Sequence, residues 1–435
     1  MNRKKLINLF SILHLFVLST VTFFGFNHYF NISSTNYVLF FLIFLIAINV
    51  FWLFNLIFFS PKVKVLFLIV HFFSFIGVFL IEGFLNFYLI VKTDREFNDN
   101  RTIREVVDED NSNGNISVPV FYPNSFDSQS LLNLDVSITP LSGQSNIRTF
   151  YCNESGKYAK YDSDRYGFNN PNYEWDNETD FLVLGDSFTH GSCVDKDKNI
   201  PSRLRNLTNK SVLNLGFSGN GPLREYATFI EYGSTRQSKI VLWLFFEGND
   251  YSDLIVEKRN KVLTKYMKFG FSQNLIINQP KIDSLIEEIN LKSADENKTK
   301  KGLLEFFQLY KIRSALHTFD FLFKEEIDSM FLEIIKRVKE KILLNNGELY
   351  FVYLPEHGRY ANYFNNPFFH DNYKSKKLTL TSIKSLGIET IDIHDRVFTN
   401  LDDINAIFPK GGHHYTENAY ELVAQEILRF INTQK

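Results

Sequence analysis

The sequence lacks any excess of charge and has very little cysteine. Its 435 residues include 47 Lys and Arg against 49 Asp and Glu, a formal net charge of −2. Nucleic-acid binding depends on basic surfaces that neutralise phosphates, so this balance gives no indication of a nucleic-acid partner. The two cysteines, Cys152 and Cys193, allow at most one disulfide. An exported domain with two cysteines favours a pair, but two buried free thiols remain the alternative.

Apolar residues are abundant, and they are concentrated at the start of the chain. Three apolar segments, Leu6–Phe26, Tyr37–Ser60 and Val63–Val91, each reach the roughly 20 residues that a helix needs to cross a bilayer. The first has a basic start, as a signal peptide has, but its apolar core is too long and lacks a following cleavage site of small residues. We therefore predict three transmembrane helices within residues 1–92.

The basic residues around these segments predict an orientation. Residues 3–5 are basic, residues 26–36 contain no Lys or Arg, and Lys62 and Lys64 lie at the tight connection where the third segment begins. This alternation places the N-terminus in the cytoplasm and the C-terminal domain outside it. Basic residues after position 91 favour the opposite orientation, but charges that lead into a long soluble domain weigh less.

The rest of the chain divides into two predicted parts. Residues 93–150 form a polar linker followed by a strand-rich approach segment. From residue 151 to 435, apolar strand-like runs alternate with helical patterns, which predicts an α/β domain with a mainly parallel sheet covered on both faces. Within it, residues 251–322 are hard to assign, and we predict an insertion that covers the cleft.

Polar or glycine-rich residues follow three successive predicted strands. Ser187 lies just past the first, beside Asp186; Gly219 lies in a turn after the second; Asn249 follows the third. Because α/β folds place their chemistry at the carboxyl ends of parallel strands, these positions combine a nucleophile with donors for a developing oxyanion. The alternative for each is an ordinary turn, with Asp186 as a helix N-cap and Pro222 at a first helical position.

Two adjacent histidines, His413 and His414, precede the last predicted helix, Ala419–Ile431. A histidine in this loop can face Ser187 and act as general base, and then as general acid toward the leaving group. The alternative is a histidine on a surface loop.

In combination these motifs resemble the SGNH (GDSL) hydrolase superfamily. The sequence has Ser187 in GDSFTHG, Gly219 in SGNG, Asn249 in GND and a histidine before the last helix, and the resemblance runs from Asp180 to the C-terminus. It implies a flavodoxin-like three-layer α/β/α fold and ester chemistry without a metal or other cofactor. Ser187 would attack an acyl carbonyl. The backbone N–H groups of Ser187 and Gly219 and the Asn249 side chain would hold the oxyanion.

The resemblance favours His414 as the base, because family members often have an aromatic residue after the histidine, as Tyr415 is here; His413 stays a candidate. The family usually places an Asp three residues before the histidine, and this chain has Gly411 or Lys410 there. A backbone carbonyl or a carboxylate from elsewhere, such as Asp402 or Asp403, would have to replace it. The alternative is a Ser–His dyad that works without a third member.

Three further residues near the expected cleft are candidates. Asp186 is typical of the family, and we interpret it as a brace for the nucleophile turn. His190 and Glu247 could contact substrate, with local hydrogen bonding as the alternative for both. Cys193 follows the nucleophile turn, so a disulfide to Cys152 would tie the approach segment to the active-site loop.

The leading functional hypothesis is a membrane-anchored serine esterase outside the cytoplasm that removes acyl groups, such as O-acetyl groups, from surface glycans. Its partners would be the acylated glycan and the lipid bilayer. One alternative is an O-acyltransferase that modifies a cell-surface polysaccharide with help from a membrane partner protein. Another is a non-catalytic SGNH-like module that binds glycans, which the missing Asp motivates.

Overall fold

The computed structural model describes residues 3–30, 35–92, 99–127, 138–293, 306, 309, 311–312, 327–360, 373–401, 403–410 and 412–434. The chain divides into two compact units. One comprises residues 1–91 with residues 298–316, and the other comprises residues 92–297 with residues 317–435.

The first unit contains three N-terminal helices, α1 (Arg3–Phe30), α2 (Thr35–Phe58) and α3 (Pro61–Lys92). Among the described residues, one stretch, Pro61–Asn86, is long and apolar enough to cross a membrane, and Ile46–Phe58 is a shorter apolar helix. Three helices are therefore present where three spans were predicted, and length and composition support one of them as a span.

Glu82 lies within α3 and is fully buried. Its two carboxylate oxygens accept hydrogen bonds of 2.9 Å from the backbone N–H groups of Lys311 and Ile312, within the same unit. The bonds satisfy a carboxylate that would otherwise be costly to bury.

The second unit is built on a five-stranded parallel sheet. Its strands are β4 (Phe181–Gly185), β5 (Val212–Asn214), β6 (Ile240–Phe246), β7 (Glu348–Leu354) and β8 (Glu389–Asp392). In space they lie in the order β5-β4-β6-β7-β8. Counted along the chain this is 2-1-3-4-5, the flavodoxin-like doubly wound order. The predicted α/β class with a mainly parallel sheet is confirmed.

The helices of this unit are α4 (Ile103–Ser112), α5 (Ser187–His190), α6 (Ile200–Thr208), α7 (Pro222–Thr228), α8 (Asp250–Glu257), α9 (Gln279–Ser293), α10 (Ser329–Leu343), α11 (Tyr373–Ser385), α12 (Ile393–Arg396), α13 (Ile404–Ile407) and α14 (Glu417–Gln434). Helices of this unit cover both faces of the sheet, whereas α4 packs against Phe150, outside the main sheet.

The packing of β6 on both of its faces explains why its sequence is apolar without alternation. Val241 and Trp243 pack into the core with α7, α8 and α10, whereas Leu242 and Leu244 pack into the core with α6 and α14. Because successive side chains of a strand point to opposite faces, a strand buried on both faces needs an unbroken apolar run.

A smaller sheet precedes the main one. Strand β1 (Ser117–Pro119) pairs in parallel with β2 (Arg148–Phe150), and β2 pairs antiparallel with β3 (Lys160–Asp162). We call β1–β3 the accessory sheet. Of the approach strands predicted from sequence, residues 134–137 lie outside the described residues.

The described part of residues 251–322 belongs to the core of the second unit as far as Ser293. Leu254, Leu263, Ile282 and Ile286 are all fully buried in the core that covers one face of the main sheet. These residues therefore fill the protein interior.

Candidate active site

The turn after β4 carries the candidate nucleophile. Gly185 has φ of +149°, and a Cβ there would lie 2.1 Å from Thr189 Oγ1 and 2.7 Å from the Leu244 carbonyl oxygen. Only glycine fits this approach. The next residue, Asp186, caps α5: its Oδ1 accepts a 2.9 Å hydrogen bond from the Phe188 N–H. Ser187 is thereby held at the first position of the helix, half-buried at the end of the strand.

His414 contacts this serine directly. Its Nε2 lies 3.0 Å from Ser187 Oγ, which is hydrogen-bonding distance. The loop that carries His414 is fixed on its far side by Tyr415, whose hydroxyl donates a 2.8 Å hydrogen bond to the Pro355 carbonyl oxygen. The histidine and the serine are 227 positions apart in the chain, so the fold brings them together.

Glu154 lies on the other side of the histidine ring. Its Oε1 is 3.2 Å from His414 Nδ1, and its Oε2 accepts backbone N–H groups of His413 at 2.7 Å and His414 at 2.8 Å. Ser187, His414 and Glu154 therefore form a hydroxyl–imidazole–carboxylate series, the arrangement that activates a serine for nucleophilic attack.

Hydrogen bonding keeps Glu154 ionised. Burial raises its pKa, but the side-chain hydrogen bond and charge of His414 and the two backbone N–H groups outweigh burial and lower the pKa to about 2. Hydrogen bonds to the charged form favour that form. The carboxylate is therefore negative at neutral pH, as a group that orients a histidine should be.

Sequence reasoning missed Glu154. Of the two carboxylates considered in its place, Asp402 lies outside the described residues, and Asp403 caps its own turn by accepting the Asn405 N–H at 2.9 Å. The one sequence signal for Glu154 is its position two residues after Cys152.

That cysteine is joined to Cys193 by a disulfide, with Cα atoms 4.7 Å apart. The open choice between a disulfide and free thiols is thus resolved. Cys193 Sγ lies 3.3 Å from His414 Nδ1, so the disulfide packs against the histidine. The bond ties the end of β2, which leads to Glu154, to the loop that follows Ser187.

The loops after β5 and β6 carry the predicted oxyanion donors. Because β5 and β6 are the two neighbours of β4, these loops flank Ser187 on either side. Gly219 has φ of +83°, a conformation that favours glycine. Asn249 is the N-cap residue of α8, and its Nδ2 donates to Asp253 Oδ2 at 2.8 Å. A side-chain amide has two N–H donors, so one remains for a substrate.

The side chains of His190 and Glu247 are both held by contacts with other residues of the protein. His190 is fully buried, lies 2.9 Å from Ser218 Oγ through Nδ1, and stacks on Phe217. Burial and then the charge of His414 lower its pKa to about 3, so the ring is neutral. Glu247 is held by a buried ion pair with Arg359. These contacts favour a role in local hydrogen bonding for both residues over the predicted contact with substrate.

His413 and Asp186 differ in their access to the site. The His413 ring is exposed and lies 5.6 Å from the His357 ring, while its backbone N–H binds Glu154. Asp186 is fully buried beneath the nucleophile. Its Oδ2 accepts a 3.3 Å hydrogen bond from Ser187 Oγ, so Asp186 braces the turn.

Four side chains at this point, His414 among them, are of types that can ligate a metal ion. Ligand atoms of Cys152, Glu154, Cys193 and His414 lie within 4.8 Å of one another. Thiolates bind metals, but here both sulfur atoms are joined to each other. One imidazole and one carboxylate remain, too few for a closed metal site.

No family model and no curated protein matches the chain. Several solved structures are similar to it. A lipolytic protein of the G-D-S-L family from Desulfitobacterium hafniense is 14% identical over 58% of this chain and 99% of that one, with a TM-score of 0.34. The lipase/acylhydrolase from Enterococcus faecalis is 12% identical over 59% and 96%, with a TM-score of 0.34.

An acetyl xylan esterase is 10% identical over 58% of this chain and 98% of its own, with a TM-score of 0.32. These structural neighbours are GDSL-type lipolytic hydrolases and esterases. The assignment of an activity to this chain rests on the geometry of its site.

Proposed function

We propose that this chain is a serine esterase of the SGNH/GDSL type, anchored in the membrane by its N-terminal helices, with the site outside the cytoplasm. It hydrolyses acyl esters, such as O-acetyl esters, on surface glycans. The observation that carries the proposal is the 3.0 Å contact between His414 Nε2 and Ser187 Oγ, with Glu154 on the opposite ring nitrogen.

The reaction follows from this geometry. Ser187 Oγ attacks the acyl carbonyl carbon and passes its proton to His414 Nε2, while Glu154 accepts the Nδ1–H and stabilises the imidazolium. Backbone N–H groups of Ser187 and Gly219 and the Asn249 amide hold the negative oxygen. His414 then protonates the leaving alcohol oxygen, which leaves an acyl–serine ester.

Water completes the cycle. His414 takes a proton from water as the water oxygen attacks the acyl carbon, and the carboxylic acid leaves as Ser187 regains its proton. The O-acyltransferase would differ only in the acceptor, a polysaccharide hydroxyl in place of water. We favour hydrolysis because Ser187 is half-buried rather than enclosed.

Three observations support the membrane location and orientation. The stretch Pro61–Asn86 is long and apolar enough to span a bilayer, and the basic residues at positions 3–5, 62 and 64 favour a cytoplasmic N-terminus. The Cys152–Cys193 disulfide suits an oxidising compartment.

The test uses the full-length chain in detergent micelles and 4-nitrophenyl acetate as substrate. Wild type should release nitrophenol and free acetate, and Ser187→Ala should lose at least about 10³-fold in kcat. Ser385→Ala is the matched control, because Ser385 is exposed at the end of α11, remote from the carboxyl ends of the strands. Hydrolysis by Ser187→Ala at the wild-type rate would refute the proposal.

A further inference from the structure

The loops that follow β1 and β2 leave the accessory sheet at the same edge. Because β1 and β2 are parallel, their carboxyl ends lie at one edge. The chain after β2 carries Glu154, which contacts His414. The chain after β1 carries Tyr122 and a short 3₁₀ helix, Pro123–Asp127. The second loop therefore emerges beside the one that supplies the acid of the site.

The 3₁₀ helix lies against the oxyanion loops. A Cβ on Gly219 would be 2.7 Å from Asn124 Nδ2 and 3.0 Å from Asn124 Oδ1, so the Asn124 amide sits directly over the Gly219 Cα. The same helix packs against α8, which has Asn249 as its N-cap. Asn124 thus lies at the junction of the loops that hold both predicted oxyanion donors.

The two side chains are available to a ligand. Asn124 is exposed, and within the described residues its amide has no hydrogen-bond partner. Tyr122 is 43% exposed. Burial and then the charge of Glu154 raise the pKa of Tyr122 to about 12, so the hydroxyl stays protonated and can donate a hydrogen bond at neutral pH.

We propose that Tyr122 and Asn124 bind the alcohol part of the ester, and that this part is a carbohydrate. The inference deepens the proposed esterase and rests on it. His414 protonates the leaving oxygen, so the alcohol part occupies the His414 side of Ser187. Tyr122 follows β1, whose carboxyl end lies beside that of β2, and the chain after β2 carries the Glu154 that contacts His414. Gly219 and Asn249 face the acyl oxygen, and Asn124 reaches across from their side.

The chemistry of the pair fits a sugar. A free amide offers two donors and one acceptor, which match the mixed donors and acceptors of sugar hydroxyls. A tyrosine ring has an apolar face and a polar tip, so it can cover the C–H face of a pyranose. Ligand sites commonly combine an aromatic wall with a few placed polar groups.

The test compares two substrates for the full-length protein in detergent. They are 4-nitrophenyl acetate, which has no sugar, and an acetylated xylo-oligosaccharide. Tyr122→Ala and Asn124→Ala should each lose about tenfold more kcat/KM on the oligosaccharide than on the small ester, mainly through KM. Unchanged thermal unfolding midpoints would show that both variants fold.

Tyr173→Ala and Asn177→Ala are matched controls. Both residues are exposed and precede the amino end of β4, whereas the site lies at the carboxyl end. Each control variant should keep a kcat/KM close to that of wild type on both substrates.

Each failure has its own signature. If wild type hydrolyses neither substrate, the proposed esterase function is wrong, and the assignment of these residues falls with it. If wild type hydrolyses the small ester only, or if the variants lose equal activity on both substrates, the esterase stands and the carbohydrate assignment is overturned.

Discussion

Glu154 Oε1 lies 3.2 Å from His414 Nδ1, although 260 positions separate the two residues in the chain. The same carboxylate binds the backbone N–H groups of His413 and His414 through Oε2. It therefore holds both the ring and the main chain of the histidine loop. This carboxylate comes from the connection between β2 and β3 of the accessory sheet, not from the histidine loop itself.

Glu154→Gln should reduce kcat on 4-nitrophenyl acetate by roughly 10²–10⁴-fold with little change in KM, because the amide no longer stabilises the imidazolium. Kinetics with Glu178→Gln, which alters an exposed glutamate, provide the control. A Glu154→Gln enzyme with wild-type kcat would mean that His414 works without a carboxylate.

Substitution of His414 and of His413 should have very different effects on kcat. His414→Ala should lose at least about 10³-fold in kcat, because the proton acceptor of Ser187 is gone. His413→Ala should lose far less, since its contact with Glu154 is made by the backbone. The measurement is kcat for both variants on the small ester. A larger loss in His413→Ala would reverse the assignment of the base.

Reduction of Cys152–Cys193 should lower both stability and activity. The bond spans 41 positions, for which loop closure predicts roughly 3–4 kcal/mol of stabilisation, and it anchors the segment that leads to Glu154. Denaturant unfolding and kcat with and without a phosphine reductant would measure the two effects. The double variant Cys152→Ser/Cys193→Ser should be insensitive to the reductant; if it responds as wild type does, the effect arises elsewhere.

Asp186 should make the second unit less stable as pH rises. Burial raises its pKa to about 6, against the Phe188 N–H and the charge of His414. A carboxyl with a raised folded-state pKa contributes stability that is present below its unfolded pKa and is lost as pH rises through about 6. Asp186→Asn should therefore show a smaller decrease in unfolding free energy between pH 4 and pH 7, measured by denaturant titration.

Asp250 strengthens this expectation. Burial and then the charge of Asp186 raise its pKa well above the usual range, so removing that charge also eases ionisation of Asp250. An equal decrease in the wild type and in Asp186→Asn would exclude Asp186 as the source.

The main sheet was readable from the sequence because its signals are local. An apolar run such as Ile240–Phe246 identifies a strand buried on both faces, and β–α alternation leaves few topologies. Ser187, Gly219 and Asn249 each follow such a strand, so their common edge could be predicted. The burial of His190 and Glu247 depends on packing between segments that are distant in the chain. No local sequence pattern predicts such packing.

Glu154 was not predictable for a related reason. It lies in a polar stretch, Asn153–Ser155, that has the composition of a surface loop, and it reaches His414 only because β2 ends at that point. The pairing of Cys152 with Cys193 depends on the same tertiary arrangement. Given the disulfide, a carboxylate two residues from Cys152 becomes a candidate, since Cys193 follows the nucleophile turn.

The disulfide also closes a covalent ring that contains β3 and β4. Lys157 lies within this ring and is exposed, so trypsin can reach it. A single cut there leaves the two fragments joined through sulfur, with Glu154 on one and Ser187 on the other. The nicked chain would migrate as one band in electrophoresis until a reductant is added, and the oxidised link alone would keep the acid and the nucleophile in one molecule.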